Sequence, residues 1–389
     1  MSDWKIVKLG DIAVYVNRGV SPKYTEKNGI IVINQKCIRN GNIDFSLARL
    51  HNYDKKFADE KILQRNDILI NSTGVGTAGR VGIFIEDSNV IVDSHVSIVR
   101  LNNEVVYPKF IFYNLRKREK ELEGTAEGST GQVELKRDGI KQLDILLPLI
   151  EEQKAIAEVL SSIDDKINLL HSQNRTLEEL AQTLFKQWFI EEANDEWEEY
   201  EVRDFATHKK VSIKPAQNPD NNYLHFSLPA FDTNKEPNIT IGLDIKSNKY
   251  QVEPFSILMS KLNPKTQRVW DIYFVPKENS ICSTEFQVVQ PNDKSLFPFI
   301  STLLKSARVT GELAMSASGT SGSHQRVKPE DIFNISFVTP SIDRIKEFSE
   351  LLAPNYLKRM KNQNQIQTLE NMVDTLLPKL MSGEVRVDY

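Results

Sequence analysis

Residues 151–189 read EEQKAIAEVLSSIDDKINLLHSQNRTLEELAQTLFKQWF. Within them Ile156, Leu160, Ile163, Ile167, Leu170, Asn174, Leu177, Ala181, Leu184 and Trp188 recur at steps of four and three. This heptad stripe calls for one long helix whose narrow apolar seam faces another helix. At about 1.5 Å of rise per residue, such a helix spans roughly 55 Å. An ordinary compact domain does not need that length, whereas a spacer between two globular units does. Asn174 sits on the seam, where an amide costs stability and fixes register.

A second copy covers residues 342–381. Gln365, Thr368, Leu369, Glu370, Thr375 and Leu376 repeat Gln173, Thr176, Leu177, Glu178, Thr183 and Leu184 at a constant offset of 192. Its seam continues through Ile366, Leu369, Val373, Leu376 and Leu380. Pro354 stands where the first copy has Ser162. Proline removes a donor and clashes one turn back, so a kink or break is expected near Ala353. Two amphipathic helices could each pack into a separate core. The matched register and length favour a mutual coiled-coil pair.

The chain has 389 residues, enough for about two domains and their connections. A hydrophobic share of 40% and a charged share of 26% are ordinary for a globular protein. No apolar run is long enough to span a membrane, and the opening MSDWKIVKLGD lacks a signal core. Cys37 and Cys282, the two cysteines, make no metal spacing and no disulfide framework, which fits a cytoplasmic location. Net charge is −4, so the chain does not advertise nucleic-acid binding globally. Residues 1–150 carry 22 basic and 19 acidic groups, while residues 151–192 carry 4 and 9. A DNA contact would therefore come from local patches.

The repeat extends beyond the helices. Trp4, Leu9, Asp11 and Ala13 match Trp197, Val202, Asp204 and Ala206 at an offset of 193. Strand-length apolar runs come next: residues 29–34, 67–71, 80–85, 90–92 and 96–101, then 223–227, 256–260, 272–275 and 286–290. Helical stretches are expected over 107–123 and 298–312. A small-residue loop succeeds each, GTAEGSTGQ at 124–132 and SASGTSGSHQ at 316–325, and a last strand runs into Pro148 or Pro340. The expected class is α+β: two globular α/β units separated by two long antiparallel coiled-coil helices, a tandem repeat with pseudo-twofold symmetry. The expected divisions are 1–150, a first recognition unit; 151–192, the first spacer helix; 193–340, a second unit; and 341–389, the second helix and tail. The globular interiors diverge while the opening segments and helices stay alike, which suits two faces with different targets on one scaffold.

The chain resembles the specificity (S) subunit of a type I restriction-modification enzyme. The residues that carry the resemblance are Trp4–Asp11; Asn66-Asp67-Ile68-Leu69 with the Gly74–Gly82 turn; Gly128–Gln132; Pro148; Glu151–Lys154; Ile163–Ile167; and Leu184–Phe189. Pro340, Leu369-Glu370, Leu376–Leu380 and Ser382–Glu384 repeat part of the pattern, while Ser341–Arg344 replaces the Glu-Glu-Gln-Lys signature. The resemblance implies two target-recognition domains, each reading one half of a bipartite, asymmetric site in double-stranded DNA. It implies helices that set the spacing and dock two methylation (M) subunits, and a chain with no chemistry of its own. S-adenosylmethionine would then reside on the M subunits. ATP, Mg and cleavage would belong to a complex completed by two restriction (R) subunits.

Gly74-Val-Gly-Thr-Ala-Gly79 matches a dinucleotide fingerprint, with Asp93 about 20 residues on. The next residues, Arg80–Ile85, read as a strand, so no helix N-terminus would hold a pyrophosphate. A glycine turn near DNA phosphate and a plain hairpin turn remain the two readings. No Walker sequence and no HExxH pair occurs. The adjacent acids Asp164-Asp165, Glu178-Glu179 and Glu191-Glu192 do not share a helix face, so they read as solvated surface.

Arginine reads guanine in two-pronged fashion, Gln or Asn reads adenine, and Lys and hydroxyls mostly hold phosphates. The DNA-contact candidates in the first unit are Asn34, Gln35, Lys36, Arg39, Ser72, Thr73, Thr77, Arg80, Thr130, Gln132, Lys136 and Arg137. Those in the second are Lys209, Lys210, Lys261, Asn263, Lys265, Gln267, Arg268, Ser321, His324, Gln325, Arg326 and Lys328. Each alone has an ordinary solvated-surface reading; the runs 261–268 and 321–328 concentrate the cations. Two rivals to the S-subunit reading stand: a stand-alone DNA-modifying enzyme, and a protein-binding scaffold with two unlike modules.

Overall fold

The computed structural model describes residues 4–125, 134–233, 235–274, 279–317 and 325–388. Thr130, Gln132, Ser321 and His324 fall outside them. The chain divides into two compact units, one made of residues 1–168 and 367–389, the other of residues 169–366. No helix among the described residues is long and apolar enough to cross a membrane.

In the first unit, the strands Ala13–Arg18, Val96–Leu101, Ile68–Asn71 and Val81–Ile83 form an antiparallel sheet in that order. The run Ile68–Asn71 is buried throughout, because both of its faces are covered. Ile68 and Ile70 share a core with Ile156, Leu160 and Ile163 of the first long helix. Leu69 and Ile98 instead join Ile33, Val90 and Val92 of a second four-stranded sheet. Alternating side chains on a pleat must face opposite ways, so a strand apolar on both faces has to be a middle layer. Trp4 sits in the helix-side core, and the strand it opens, Lys5–Lys8, pairs antiparallel with Asp144–Leu147.

The second unit repeats this layering. Ala206–His208, Phe286–Pro291, Ser256–Ser260 and Val269–Ile272 form the helix-side sheet. Ile257 and Met259 pack with Phe185, Phe189, Phe348 and Leu352. Leu258 and Val288 face Phe226, Tyr250 and Cys282, on strands of a five-stranded second sheet. The opening strand Glu198–Glu201 pairs with Ser336–Thr339, as its counterpart does in the first unit. Cys37 and Cys282 are both buried and free, and burial pushes the Cys282 thiol up to about 12.

The two long helices run Ile150–Lys186 and Ile342–Ser382. Inside the first unit, Val373, Leu377 and Leu380 join Ile156, Leu160 and Ile163 in one cluster. Inside the second, Asn174 meets Asn362, the Leu177 carbonyl meets Asn355, and Phe185 meets Phe348. One series ascends while the other descends, so the segments pack antiparallel. The first helix widens into a π turn at Gln187–Glu191, where Trp188 and Phe189 pack on Phe348. The Arg344 guanidinium lies 3.7 Å from the Trp188 ring centroid.

Several details depart from the sequence expectation. The second helix passes Pro354 without a break; the exposed ring points to solvent, and packing of the flanking Leu352 and Tyr356 holds the turn. The stretch expected over 107–123 is two helices, Pro108–Lys117 and Glu119–Gly124, parted at Arg118. The stretch over 298–312 is likewise Phe297–Leu304 and Ala307–Ser316, the second started by the Ser306 hydroxyl accepting from the Val309 amide at 3.3 Å. Of the strand expected at 272–275, the strand observed is Val269–Ile272, residues 273 and 274 lie outside it, and residue 275 falls outside the described residues. Adjacent acids on the helices do point apart, but one of each of two pairs turns inward. Asp164 accepts from Arg116 at 2.7 Å and from Tyr113 at 2.8 Å, and Glu178 lies 2.8 Å from Lys305.

After the second helix the chain turns at Gly383 with φ +72°. Arg386 then grips the buried Glu152, donating to Oε2 at 2.9 Å, and Trp4 Nε1 donates to the same oxygen at 3.2 Å.

Candidate nucleic-acid interface

Each unit ends its helix-side sheet in the same junction. In the first, the strand Ile68–Asn71 runs out into Ser72 and Thr73. The Asn71 amide donates to the Arg80 carbonyl at 2.9 Å and the Ser72 amide to the His95 carbonyl at 2.7 Å. The Leu135 amide donates to the Ser72 carbonyl at 2.8 Å, and Thr73 bridges Glu134. In the second, the Ser260 amide donates to the Arg268 carbonyl at 2.9 Å and the Lys261 amide to the Glu285 carbonyl at 2.9 Å. The Val327 amide donates to the Lys261 carbonyl at 3.0 Å, and Leu262 bridges Arg326. The segment that leaves each small-residue loop is thus stitched onto the same strand end in both units.

The side chains at this shared junction differ. In the first unit, Ser72 is buried and closed against Ser97, hydroxyl to hydroxyl at 2.6 Å. Thr73 meets His95 Nδ1 at 2.8 Å and Gln35 Oε1 at 3.5 Å, and Thr77 donates to the Thr73 carbonyl at 3.2 Å. Asn71 donates to the Gln35 carbonyl at 2.9 Å. Gln35, Ser72, Thr73 and Thr77 are therefore brought together. Asn34 is buried and donates to the Leu47 carbonyl at 2.9 Å, while its own oxygen accepts from the Lys36 amide. It shapes the loop that presents Gln35 and the exposed Lys36. Arg80 folds back to donate to the Gly76 carbonyl at 2.8 Å. Gly74, Gly76 and Gly79 all have positive φ, and the strand Val81–Ile83 comes directly after them, so this is a turn into a strand with no helix dipole at its end. Arg39, Lys136 and Arg137 are exposed.

In the second unit the cations converge. Burial holds the Lys261 ammonium below the ordinary lysine range, opposed by Glu285. Burial, then Lys210 and Lys261, holds His208 below the ordinary histidine range. Arg326 pairs with Glu285 at 3.1 Å. Asn263 takes φ +49° and donates to Thr266 Oγ1 at 3.3 Å, and its amide donates to the Gln325 carbonyl at 3.0 Å. Among the described residues, His208 Nε2, Glu285 Oε2, Gln287 Oε1 and Gln325 Oε1 are buried without a hydrogen-bond partner. Two candidates are occupied elsewhere. Arg268 is clamped by Asp232 at 2.6 and 3.0 Å, and Gln267 donates to the Lys305 carbonyl at 2.6 Å and to Thr310 at 2.8 Å. Lys209 is half-buried; Lys210, Lys265 and Lys328 are exposed.

Sequence reasoning missed Arg18, His95, Glu134, His208, Glu285 and Gln287 at the junctions. Arg18 pairs with Glu134 at 2.8 Å across 116 positions of chain, a partnership no local spacing announces. The repeat offset does not find them all, because the strand ends correspond at shifts of 188–190 rather than the 192–193 of the helices and opening segments. Among the described residues no group of three His, Cys, Asp or Glu side chains could hold a metal ion. The arrangement offers two sets of loop-borne donors and acceptors on rigid strand ends, which is suited to contact rather than to bond-making.

Residues 1–179 match the family model described as the type I restriction modification DNA specificity domain. The chain is similar to the HindI specificity subunit of Haemophilus influenzae, with 28% identity over 197 residues, 49% of this chain and 42% of that protein. It is similar to the MjaIX specificity subunit of Methanocaldococcus jannaschii, with 27% identity over 320 residues, 73% of this chain and 70% of that protein. The chain thus spans less than half of the first relative. The S subunit structure of the M. genitalium type I restriction-modification system shares the fold, with a TM-score of 0.57 at 15% identity, covering 100% of this chain and 97% of that one.

Proposed function

We propose that this chain, a member of the type I restriction-modification specificity-subunit family, is the DNA-recognition subunit of such a complex. Each globular unit reads one half of a bipartite, asymmetric site. The observation that carries this is the junction built twice with the same backbone bonds and unlike side chains. One scaffold with two chemistries is what an asymmetric two-part sequence requires. The long helices act as a spacer; half-sites one turn of duplex apart lie about 34 Å centre to centre, and a helix of 37 residues extends roughly 55 Å. The divisions 1–150, 151–192, 193–340 and 341–389 are the functional modules of this reading. The chain performs no chemistry itself and binds no cofactor. Two M subunits dock on the helices and bring S-adenosylmethionine, and two R subunits bring ATP- and Mg-dependent cleavage, all in the cytoplasm.

The test exchanges residues 15–140 for those of an unlike specificity subunit and maps DNA methylation by the assembled complex. One half-site changes and the other stays. Alteration of both half-sites would reject the modular reading, and methylation or cleavage by the chain alone would favour a stand-alone enzyme.

A further inference from the structure

Glu134 and Arg326 occupy the same place in the two units, and their charges are opposite. Each is the first described residue, or the second, after its small-residue loop. Each forms the antiparallel bridge to the strand end, with Thr73 and Leu262 respectively, and the residue after each donates to that strand end. Each carries an exposed side chain, 54% for Glu134 and 60% for Arg326. Each rests on a less exposed counter-ion, Arg18 at 29% at the end of the strand Ala13–Arg18 and Glu285 at 32% in the turn before the strand Phe286–Pro291. The ion pairs measure 2.8 and 3.1 Å. A tip residue paired with an opposite charge is thus common to both units, with acid and base exchanged and the counter-ion drawn from a different element in each.

We propose that Glu134 and Arg326 are specificity-determining residues, each reading a base edge in its own half-site; this rests on the DNA-recognition reading of the chain. The chemistry separates the two bases. A carboxylate only accepts, so Glu134 suits the amino group of cytosine or adenine, while a guanidinium only donates, so Arg326 suits O6 and N7 of guanine. A carboxylate at a DNA-facing tip is repelled by phosphates, and a base-edge donor is the partner on a duplex that relieves it. Arg18 and Glu285 are positioning residues, which hold the tips at a fixed angle. The inversion also explains how two units with one backbone plan avoid reading the same sequence.

The experiment selects duplexes from a library randomised at both half-sites, using the full chain assembled with its M subunit, and sequences the bound pool. Arg326→Gln relaxes one guanine position in one half-site, with discrimination there falling roughly ten- to a hundredfold, and leaves the other half-site intact. Arg326→Lys keeps the charge but not the fork, so it loses the same discrimination with a smaller drop in overall affinity. Glu134→Ala relaxes a cytosine or adenine position in the opposite half-site. Melting of each variant at the parent temperature shows that the fold is kept. If the variants enrich the parent motif, or weaken all sequences alike with a shallower salt dependence, the tips are not base readers and the inference falls alone. If the parent complex enriches no bipartite motif, the recognition reading falls and takes this inference with it.

Discussion

Asn362 donates through Nδ2 to Asn174 Oδ1 at 2.9 Å, and lies 3.3 Å from Gln173 Oε1. The amide foreseen on the heptad seam therefore meets an amide from the opposing helix, with Asn362 fully buried. Asn362→Ala strands Asn174 in a packed seam and lowers stability by about 1–3 kcal/mol. Joint replacement of Asn174 and Asn362 by leucine restores or exceeds parental stability, since a seam amide trades stability for register. Guanidinium unfolding measures both; a single variant as stable as the parent would show that the pair holds nothing.

Glu178 lies 2.8 Å from Lys305 and 3.3 Å from Arg359. Burial alone would raise its carboxyl, but Lys305 and Arg359 bring it down to about 2 from an ordinary 4.5. A carboxyl depressed in the folded state stabilises fully above its unfolded value and loses that contribution as pH falls towards the folded one. Parental stability should therefore decline between pH 4.5 and about 2, and Glu178→Gln should flatten that part of the decline. At neutral pH, Lys305→Met leaves Glu178 and Asp271 to share Arg359, at 3.3 and 3.5 Å, and costs at most about 3–5 kcal/mol. Chemical denaturation across pH reads both effects.

Two glycines of the 74–79 turn separate strain from crowding. Gly76 has φ +73° and open space where a Cβ would stand, whereas Gly79 has φ +84° and a Cβ there would sit 2.7 Å from the Glu119 carbonyl oxygen and the Glu123 nitrogen. Gly76→Ala costs about 1–2 kcal/mol, the left-handed backbone alone. Gly79→Ala costs distinctly more, because backbone must move. Equal losses in thermal melts would mean that the close approach of the Glu119–Gly124 helix to the turn is not tight.

Pro354 is exposed in the middle of a helix, and its ring removes one helical hydrogen bond. Pro354→Ala should raise stability by about 1–3 kcal/mol. A loss instead would show that the proline sets a bend on which the surrounding packing depends.

The long helices were legible because a heptad stripe survives any tertiary context, and the buried strands because runs such as Ile68–Asn71 allow little else. The breaks at Arg118 and Ser306 were not, since each depends on how a short helix meets a neighbouring layer. Of the kink or break expected at Pro354, no break forms, because the burial of Leu352 and Tyr356 outweighs local propensity there. At the junctions, cationic loop residues were visible but their partners were not. Arg268 stood among the candidates, but the fold brings it Asp232 from 36 positions away, and the place of Glu134 opposite Thr73, matching that of Arg326 opposite Leu262, is set by the fold alone.

The first unit is discontinuous in sequence, closed by residues 367–389, while the second is one uninterrupted stretch. On a ribosome, the chain's opening 168 residues emerge first but lack Val373, Leu377, Leu380 and the Arg386 grip on Glu152. The later-synthesised unit has all its parts earlier, inverting the usual N-to-C order of domain completion. Nascent chains stalled before residue 367 should hold a protease-sensitive front and a protected middle.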